Sequence, residues 1–241
     1  YKVTYKYEGK VPTGASETPA EATYKYGASV TVAEDATAPG YTFSGWDKKD
    51  FTMPASNVVI KGSFKANDDT QYKVEHYLED LDGKTFTLKE TETLAGKTDT
   101  TATAKPKQYP GFTYDSTVEG TKTSGTITGD GQLVLKLYYT RNSYSYTIKY
   151  VEEGNETNIL KTTTGEAKYE EEIDVTKETF EGYTYVRQDK EKIKIDTTNN
   201  IATVYYTRNS YNVTYEYEGE FPTGASELPA KATYKYGASV T

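Results

Sequence analysis

The chain has 241 residues, with no cysteine, one histidine, one methionine and one tryptophan, but 25 tyrosines. Zero cysteine excludes a thiol nucleophile, a disulfide framework and Cys-ligated zinc or iron–sulfur centres, and one histidine excludes any two-histidine metal site within the chain. With 35% hydrophobic residues, mean hydropathy −0.79 and a formal charge of −8, it has little apolar mass for one large core and repels phosphate backbones, so nucleic acid is not an expected partner. No run approaches the roughly 20 apolar residues of a membrane span, so no membrane insertion is expected.

Internal repetition organises the chain. Residues 1–31 recur as 211–241 with only six differences. The turn Gly40-Tyr-Thr-Phe returns as Gly111-Phe-Thr-Tyr and Gly182-Tyr-Thr-Tyr, and Tyr-Tyr-Thr-Arg-Asn-Ser-Tyr occurs at 138–144 and 205–211. These markers divide the chain into modules at 1–66, 67–143 and 144–210. A final stretch, 211–241, repeats the opening of the first module. The sequence begins and stops within strand-like patterns, as expected for a piece of something longer.

Each module opens on period-2 alternation, the sign of a half-buried strand. Tyr1, Val3, Tyr5 and Tyr7 share one face in the first module, Tyr72, Val74, His76 and Leu78 in the second, and Tyr144, Tyr146, Ile148 and Tyr150 in the third. Pairs such as Pro39-Gly40, Asp82-Gly83, Pro110-Gly111, Asp130-Gly131 and Glu181-Gly182 mark turns. Closing strands are expected over 58–64, 132–139 and 201–206. Helix is limited to a single turn near 98–105 or 170–177. The fold class is therefore mainly β. Tyrosine supplies the core of each thin module, its ring buried and its hydroxyl reaching a polar partner. The expected core aromatics are Tyr41, Phe43 and Trp46, then Phe112 and Tyr114, then Tyr183 and Tyr185.

Few residues invite a chemical role. His76 falls opposite Tyr5 and Ile148 in a simple alignment of the strands and reads as a structural strand residue. Asp80, Asp82 and Gly83 lack the spacing of a calcium loop and read as a hairpin turn. Glu170, Glu171, Glu172 and Asp174 point in alternating directions, so a solvated charged edge fits better than a glycosidase pair. Catalytic, cofactor and metal sites are not expected. Tyr144 to Tyr150 lie on the core face, whereas Tyr77, Tyr138 and Tyr205 are outward candidates for stacking on a sugar ring.

The residues Gly40-Tyr-Thr-Phe-Ser-Gly-Trp46 and Phe51-Thr-Met-Pro-Ala-Ser-Asn-Val-Val-Ile-Lys-Gly-Ser-Phe64 resemble the Listeria–Bacteroides (internalin B-repeat) class and the SHIRT-type repeats of streptococcal adhesins. Residues 72–142 and the third module resemble MucBP, the mucin-binding-protein repeats of Gram-positive surface proteins. The third module departs from the second in its turn, Glu153-Gly-Asn-Glu, and in a late segment rich in Lys and Asp. The resemblance implies tandem β-grasp-like (ubiquitin-like) modules, placed end to end as a rod in a cell-wall-attached extracellular protein of a Gram-positive bacterium. It implies a non-catalytic adhesin stalk or spacer, with mucin or host-glycan binding as the alternative. Lys–Asn isopeptide crosslinks occur in Gram-positive adhesins, but no spacing here singles out a trio. In the β-grasp topology the first and last strands of each module pair in parallel and resist pulling in shear. The stretch 211–241 lacks a second half, so it is expected to borrow strand partners from the third module or, by strand exchange, from another chain.

Overall fold

The computed structural model describes residues 1–240 as strands and connections, with no helix among them. Two compact units emerge, one of residues 1–108 and 114–140, the other of residues 109–113 and from 141 on. The first module contributes β1 (Lys2–Glu8), β2 (Ala22–Thr23), β3 (Ser29–Val30), β4 (Tyr41–Phe43), β5 (Phe51–Thr52) and β6 (Val58–Ala66). The second has β7 (Thr70–Glu79), β8 (Phe86–Gly96), β9 (Thr101–Thr103), β10 (Phe112–Tyr114), β11 (Ser124–Thr126) and β12 (Val134–Arg141). The third has β13 (Ser143–Glu152), β14 (Asn155–Lys168), β15 (Glu172–Asp174), β16 (Tyr183–Gln188), β17 (Lys192–Lys194) and β18 (Ile201–Arg208).

The three sheets share one topology, with orders β2-β1-β6-β4, β8-β7-β12-β10 and β14-β13-β18-β16. In each, the opening strand pairs antiparallel with the second and parallel with the last. The parallel registers run over six residues each: Val3–Glu8 on Val58–Ser63, Lys73–Leu78 on Val134–Tyr139, and Thr147–Glu152 on Ile201–Tyr206. A parallel pair needs a crossover. Here the crossover carries a two-stranded ribbon, β3/β5, β9/β11 or β15/β17, and no helix. The single helical turns expected near 98–105 and 170–177 are thus replaced by β9 and β15. The Thr-rich and alternating Glu-Ile-Asp sequences there favour extended backbone.

Each core lies between one sheet face and its ribbon. In the first module Val3, Val30, Trp46, Met53, Val58 and Ile60 are buried, with Tyr5, Tyr7, Phe43 and Phe64 packed against them. Trp46 is held by its indole N–H, which donates to the Glu34 carbonyl at 3.0 Å. In the third, Ile148, Tyr150, Val175, Ile193, Ile195, Val204 and Tyr206 are buried and Tyr144, Tyr146 and Tyr185 line the rim. Buried tyrosines keep their hydroxyls paired: Tyr150 donates to the Thr176 carbonyl at 3.1 Å and Tyr206 to the Glu178 carbonyl at 2.8 Å. The second module buries Val74, Ile127, Leu133, Leu135, Leu137 and Tyr139, together with His76.

The final stretch forms its own hairpin from β19 (Ser210–Val213) and β20 (Ala232–Lys235), with Tyr211 opposite Tyr234. Its strands pair with each other and with no strand of the third module, so strand exchange gains no support. In the first module the same sequence stays extended to Glu8, where β6 lies alongside. In the tail the strand spans only Ser210–Val213 and is paired with β20.

Ile60 is fully buried at the centre of the first core. Ile60→Ala should destabilise that module by about 2–5 kcal/mol, since a buried aliphatic truncation leaves a cavity. Urea unfolding followed by Trp46 fluorescence measures it.

Candidate functional site

The outward face of the second sheet carries an aromatic cluster. Tyr77 and Tyr138 sit side by side on β7 and β12, their rings stacked with centroids 4.9 Å apart and planes 17° apart. Phe86 meets Tyr138 edge-on at 5.2 Å, and the Lys136 ammonium lies 5.7 Å from the Tyr77 centroid. The Tyr77 hydroxyl donates to Glu75 at 2.6 Å, and that bond, with burial, pushes its pKa up to about 12. All three rings are half-buried. Tyr205, the counterpart of Tyr138 in the third module, is covered differently. The Arg187 guanidinium sits 3.7 Å from its ring centroid and is itself held by Glu153 at 2.8 Å. One face of Tyr205 is thereby taken. The structure brings Tyr77 and Tyr138 together and leaves Tyr205 in a separate sheet.

His76 is fully buried, and the sheet register corrects its equivalence. It pairs with Leu137 as Tyr150 pairs with Val204 and Tyr7 with Gly62. It therefore stands in for Tyr7 and Tyr150, two residues beyond the Tyr5 and Ile148 that simple counting gives. The offset arises because simple counting sets Tyr72 against Tyr144, whereas in the register Thr70 takes that place. Its Nε2–H donates to Glu92 at 2.9 Å, and Nδ1 shares a 2.9 Å hydrogen bond with the Tyr139 hydroxyl. Lys107 closes the network on Glu92 and Glu90. Glu92 and Lys107 carry no sequence motif; the register of β8 brings Glu92 to the imidazole and the crossover brings Lys107 to Glu92. The arrangement is a satisfied core network with no space for a substrate.

The other acidic candidates are structural too. Asp82 accepts from the amides of Lys84 and Thr85, both at 2.9 Å, and Asp80 from the Thr85 and Thr87 hydroxyls, closing the β7/β8 hairpin. Glu170 pairs with Arg141, and Glu172 and Asp174 with Lys192. Among the described residues no three metal-ligating side chains converge.

A third feature recurs along the chain. The glycine turns place their first aromatic away from the module centre, which corrects the expectation that Tyr41 and Phe112 belong to the core. Tyr41 donates its hydroxyl to Asp99, Phe112 lies under the Arg141 guanidinium and edge-on to Tyr169, and Tyr183 lies under Arg208 and edge-on to Tyr236. Tyr183 also touches the edge of the third core. The second aromatic of each turn goes inward. Phe43 packs on Trp46, Tyr114 on Tyr139, and Tyr185 on Tyr206.

One asparagine organises each of these joints. The amides of Asn67, Asn142 and Asn209 donate to the carbonyls of Gly40, Gly111 and Gly182 at 3.0, 2.9 and 2.8 Å. Their side-chain oxygens accept from the hydroxyls of Thr42, Thr113 and Thr184 at 2.7, 2.7 and 2.6 Å. Their carbonyls accept from the amides of Thr98, Tyr169 and Tyr236 at 2.9, 2.9 and 2.8 Å. The glycines have φ of 73°, 78° and 75°, which already disfavours a side chain. Neighbours also fill the space. A Cβ on Gly111 would lie 2.2 Å from the Tyr169 ring, and one on Gly182 would lie 2.1 Å from the Tyr236 ring. The Gly-aromatic-Thr and Thr-Arg-Asn-Ser repeats are thus two halves of one contact.

The MucBP domain model matches residues 73–140 and 146–218, more than half of the sequence. The chain belongs to the MucBP family. These are repeats of adhesin-type bacterial surface proteins. Among solved structures the chain is similar to streptococcal high-identity repeats in tandem (SHIRT) domains 3–4 of a cell surface protein. The identity is 22%, over 59% of this chain and 98% of that one, with a TM-score of 0.25. It is also similar to Mub-RV, at 14% identity over 58% of this chain and 99% of that one, TM-score 0.21. The Bacillus anthracis TIE protein matches at 15% identity over 86% of this chain and 50% of its own length, TM-score 0.32. A search of curated proteins finds no match.

The Glu92 carboxyl is held below the usual glutamate range by its hydrogen bonds from His76 and then Lys107. A depressed carboxyl contributes stability above its unfolded value, about 4.3, and that contribution is lost as pH falls through the lower folded value. Urea midpoints of the second module should therefore drop as pH is lowered below about 4.3. In Glu92→Gln that acid-dependent component should shrink.

Proposed function

We propose that these MucBP repeats act as a non-catalytic spacer in a stalk that projects an adhesive part from the wall of a Gram-positive cell. The reading rests above all on the parallel pairing of the first and last strands in all three modules. Because the two strands run the same way, tension applied through the ends of a module slides them past one another. All the ladder hydrogen bonds then share the load. An antiparallel hairpin pulled at its two free ends opens one bond at a time. The asparagine joints add support, since linkers of one residue between β12 and β13 and between β18 and β19 leave little slack.

A second reading has its own observation. The Tyr77–Tyr138–Phe86 cluster is an aromatic surface on an open sheet face, of the kind that stacks on sugar rings, and the family's name points to mucin. Host glycan is the partner this reading implies. Tyr205 contributes less, because Arg187 covers one of its faces.

Pulled through residues 1 and 210, the modules should unfold in separate high-force events. The second module pulled through Thr70 and Gly96, across its β7/β8 hairpin, should open at clearly lower force. Equal forces in the two geometries would remove the shear argument. On a glycan array, binding that disappears in Tyr77→Ala with unchanged thermal stability would favour the glycan reading. A flat array at high protein concentration would leave the spacer alone.

A further inference from the structure

The joints depend on a second turn, supplied by the module that follows. It occurs four times: Lys25-Tyr-Gly-Ala28, Lys97-Thr-Asp-Thr100, Lys168-Tyr-Glu-Glu171 and Lys235-Tyr-Gly-Ala238. In each, the fourth amide donates to the first carbonyl, at 3.1, 3.1, 2.9 and 2.9 Å. The third residue has positive φ in every case: Gly27 79°, Asp99 64°, Glu170 66° and Gly237 72°. In the three complete modules the turn is also fastened to the module's own ribbon. The amides of Gly27, Asp99 and Glu170 donate to the carbonyls of Met53, Ile127 and Ile195, at 3.0, 2.9 and 2.7 Å.

The second residue of this turn meets the preceding glycine turn. Thr98 donates its hydroxyl to the Gly40 carbonyl at 2.8 Å, Tyr169 covers Gly111, and Tyr236 covers Gly182. Their amides all bond to the joint asparagine. Tyr26 is the fourth member of the set and is treated otherwise. It is 72% exposed, against 36% for Tyr236. Its turn is built and locked as in the sister modules, yet no glycine turn lies against it.

The tail shows what this sequence does when a module stands before it. Residues 211–240 copy residues 1–30 with the same six differences, none of them within the turn. There the ring that corresponds to Tyr26 rests on Gly182, and its amide bonds to Asn209 two residues before Tyr211.

We infer that the Tyr26 turn is a docking surface for the Gly-aromatic-Thr turn of another repeat of this class, joined upstream through an asparagine two residues before Tyr1. The ring packs over the bare glycine and the Tyr26 amide donates to the asparagine carbonyl. The occupant is fixed by this fit. A glycine leaves space for the ring, and an asparagine at that distance adds, to the backbone bonds with the amide and the glycine carbonyl, a side-chain oxygen for the threonine hydroxyl. The inference stands on the joint geometry and is independent of whether the repeats carry tension or bind glycan.

The test adds a second copy of residues 143–210 ahead of Tyr1 in the full chain, which places Asn-Ser before Tyr1 as it stands before Tyr211. Tyrosine nitration by tetranitromethane is then followed by mass spectrometry. Trypsin releases Tyr26 and Tyr236 in different peptides, beginning at each tyrosine. In the original chain Tyr26 should react faster than Tyr236; in the extended chain its rate should fall to that of Tyr236. Gly182→Val made in the added copy only should restore fast nitration. Asn209→Ala in that copy, which spares the glycine turn, should restore it in part and keeps the test open if the valine variant misfolds. A Tyr26 rate unchanged by the extension would overturn the proposal. So would protection that survives both substitutions. Protection that depends on chain concentration would assign the contact to a second molecule and overturn the upstream placement.

Discussion

The parallel bond ladder between the first and last strands is the constraint from which the remaining features follow. It puts the two terminal strands of a module at the centre of its sheet, with the hairpin partner on one side and the glycine-turn strand on the other. It forces the intervening chain to cross over, and that crossover supplies the lid of the core. It also sends the chain in at one end of a module and out at the opposite end. A following repeat can then start within one residue, as at Asn142 and Asn209.

That economy of linker is why the joint had to be built from turns. The residues available at the exit are the glycine turn beside the last strand and the chain leaving it. Asparagine meets the need, since its amide, side-chain oxygen and carbonyl each find a different partner in the same small space. Arginine before it reaches back over the turn aromatic and also pairs with a carboxylate, Glu170 of the following module for Arg141 and Glu152 of its own module for Arg208. In the first module Ala66 replaces that arginine, and Lys10 and Tyr41 tie to Asp99 instead. The joint is thus held by backbone geometry, and its side-chain supports vary.

Much of this architecture is legible in the residues. The period-2 strands, the repeat spacing and the parallel terminal pair all follow from alternation, turn dipeptides and the family resemblance. Tyr144, Tyr146 and Tyr150 lie on the core face as their alternation requires. What was not legible depends on distances between segments far apart in sequence. Tyr41 and Phe112 look like core aromatics until the neighbouring turn is placed beside them. His76 looks equivalent to Ile148 until the register of β12 on β7 moves it by two residues. The Glu92–Lys107 network has no local pattern, because its members meet only across the β7/β8 pairing and the crossover. The aromatic candidates divide for a similar reason. Tyr77 and Tyr138 become one patch by being opposite in a parallel pair, whereas Arg187, remote in sequence, decides the fate of Tyr205.

The pairing of terminal strands also sets an order of events during synthesis. No module can close until its final strand has been made, so its opening hairpin waits through the whole crossover, the slow kind of long-range contact. Residues 211–241 are a near-copy of residues 1–31, whose opening strand pairs with β6. On the ribosome they never compete, because Val58–Ala66 emerges and is captured long before residue 211 is made. In a denatured chain returned to buffer both copies are present at once, with no such order imposed. Direction of synthesis therefore sorts near-identical strands that their own residues do little to tell apart.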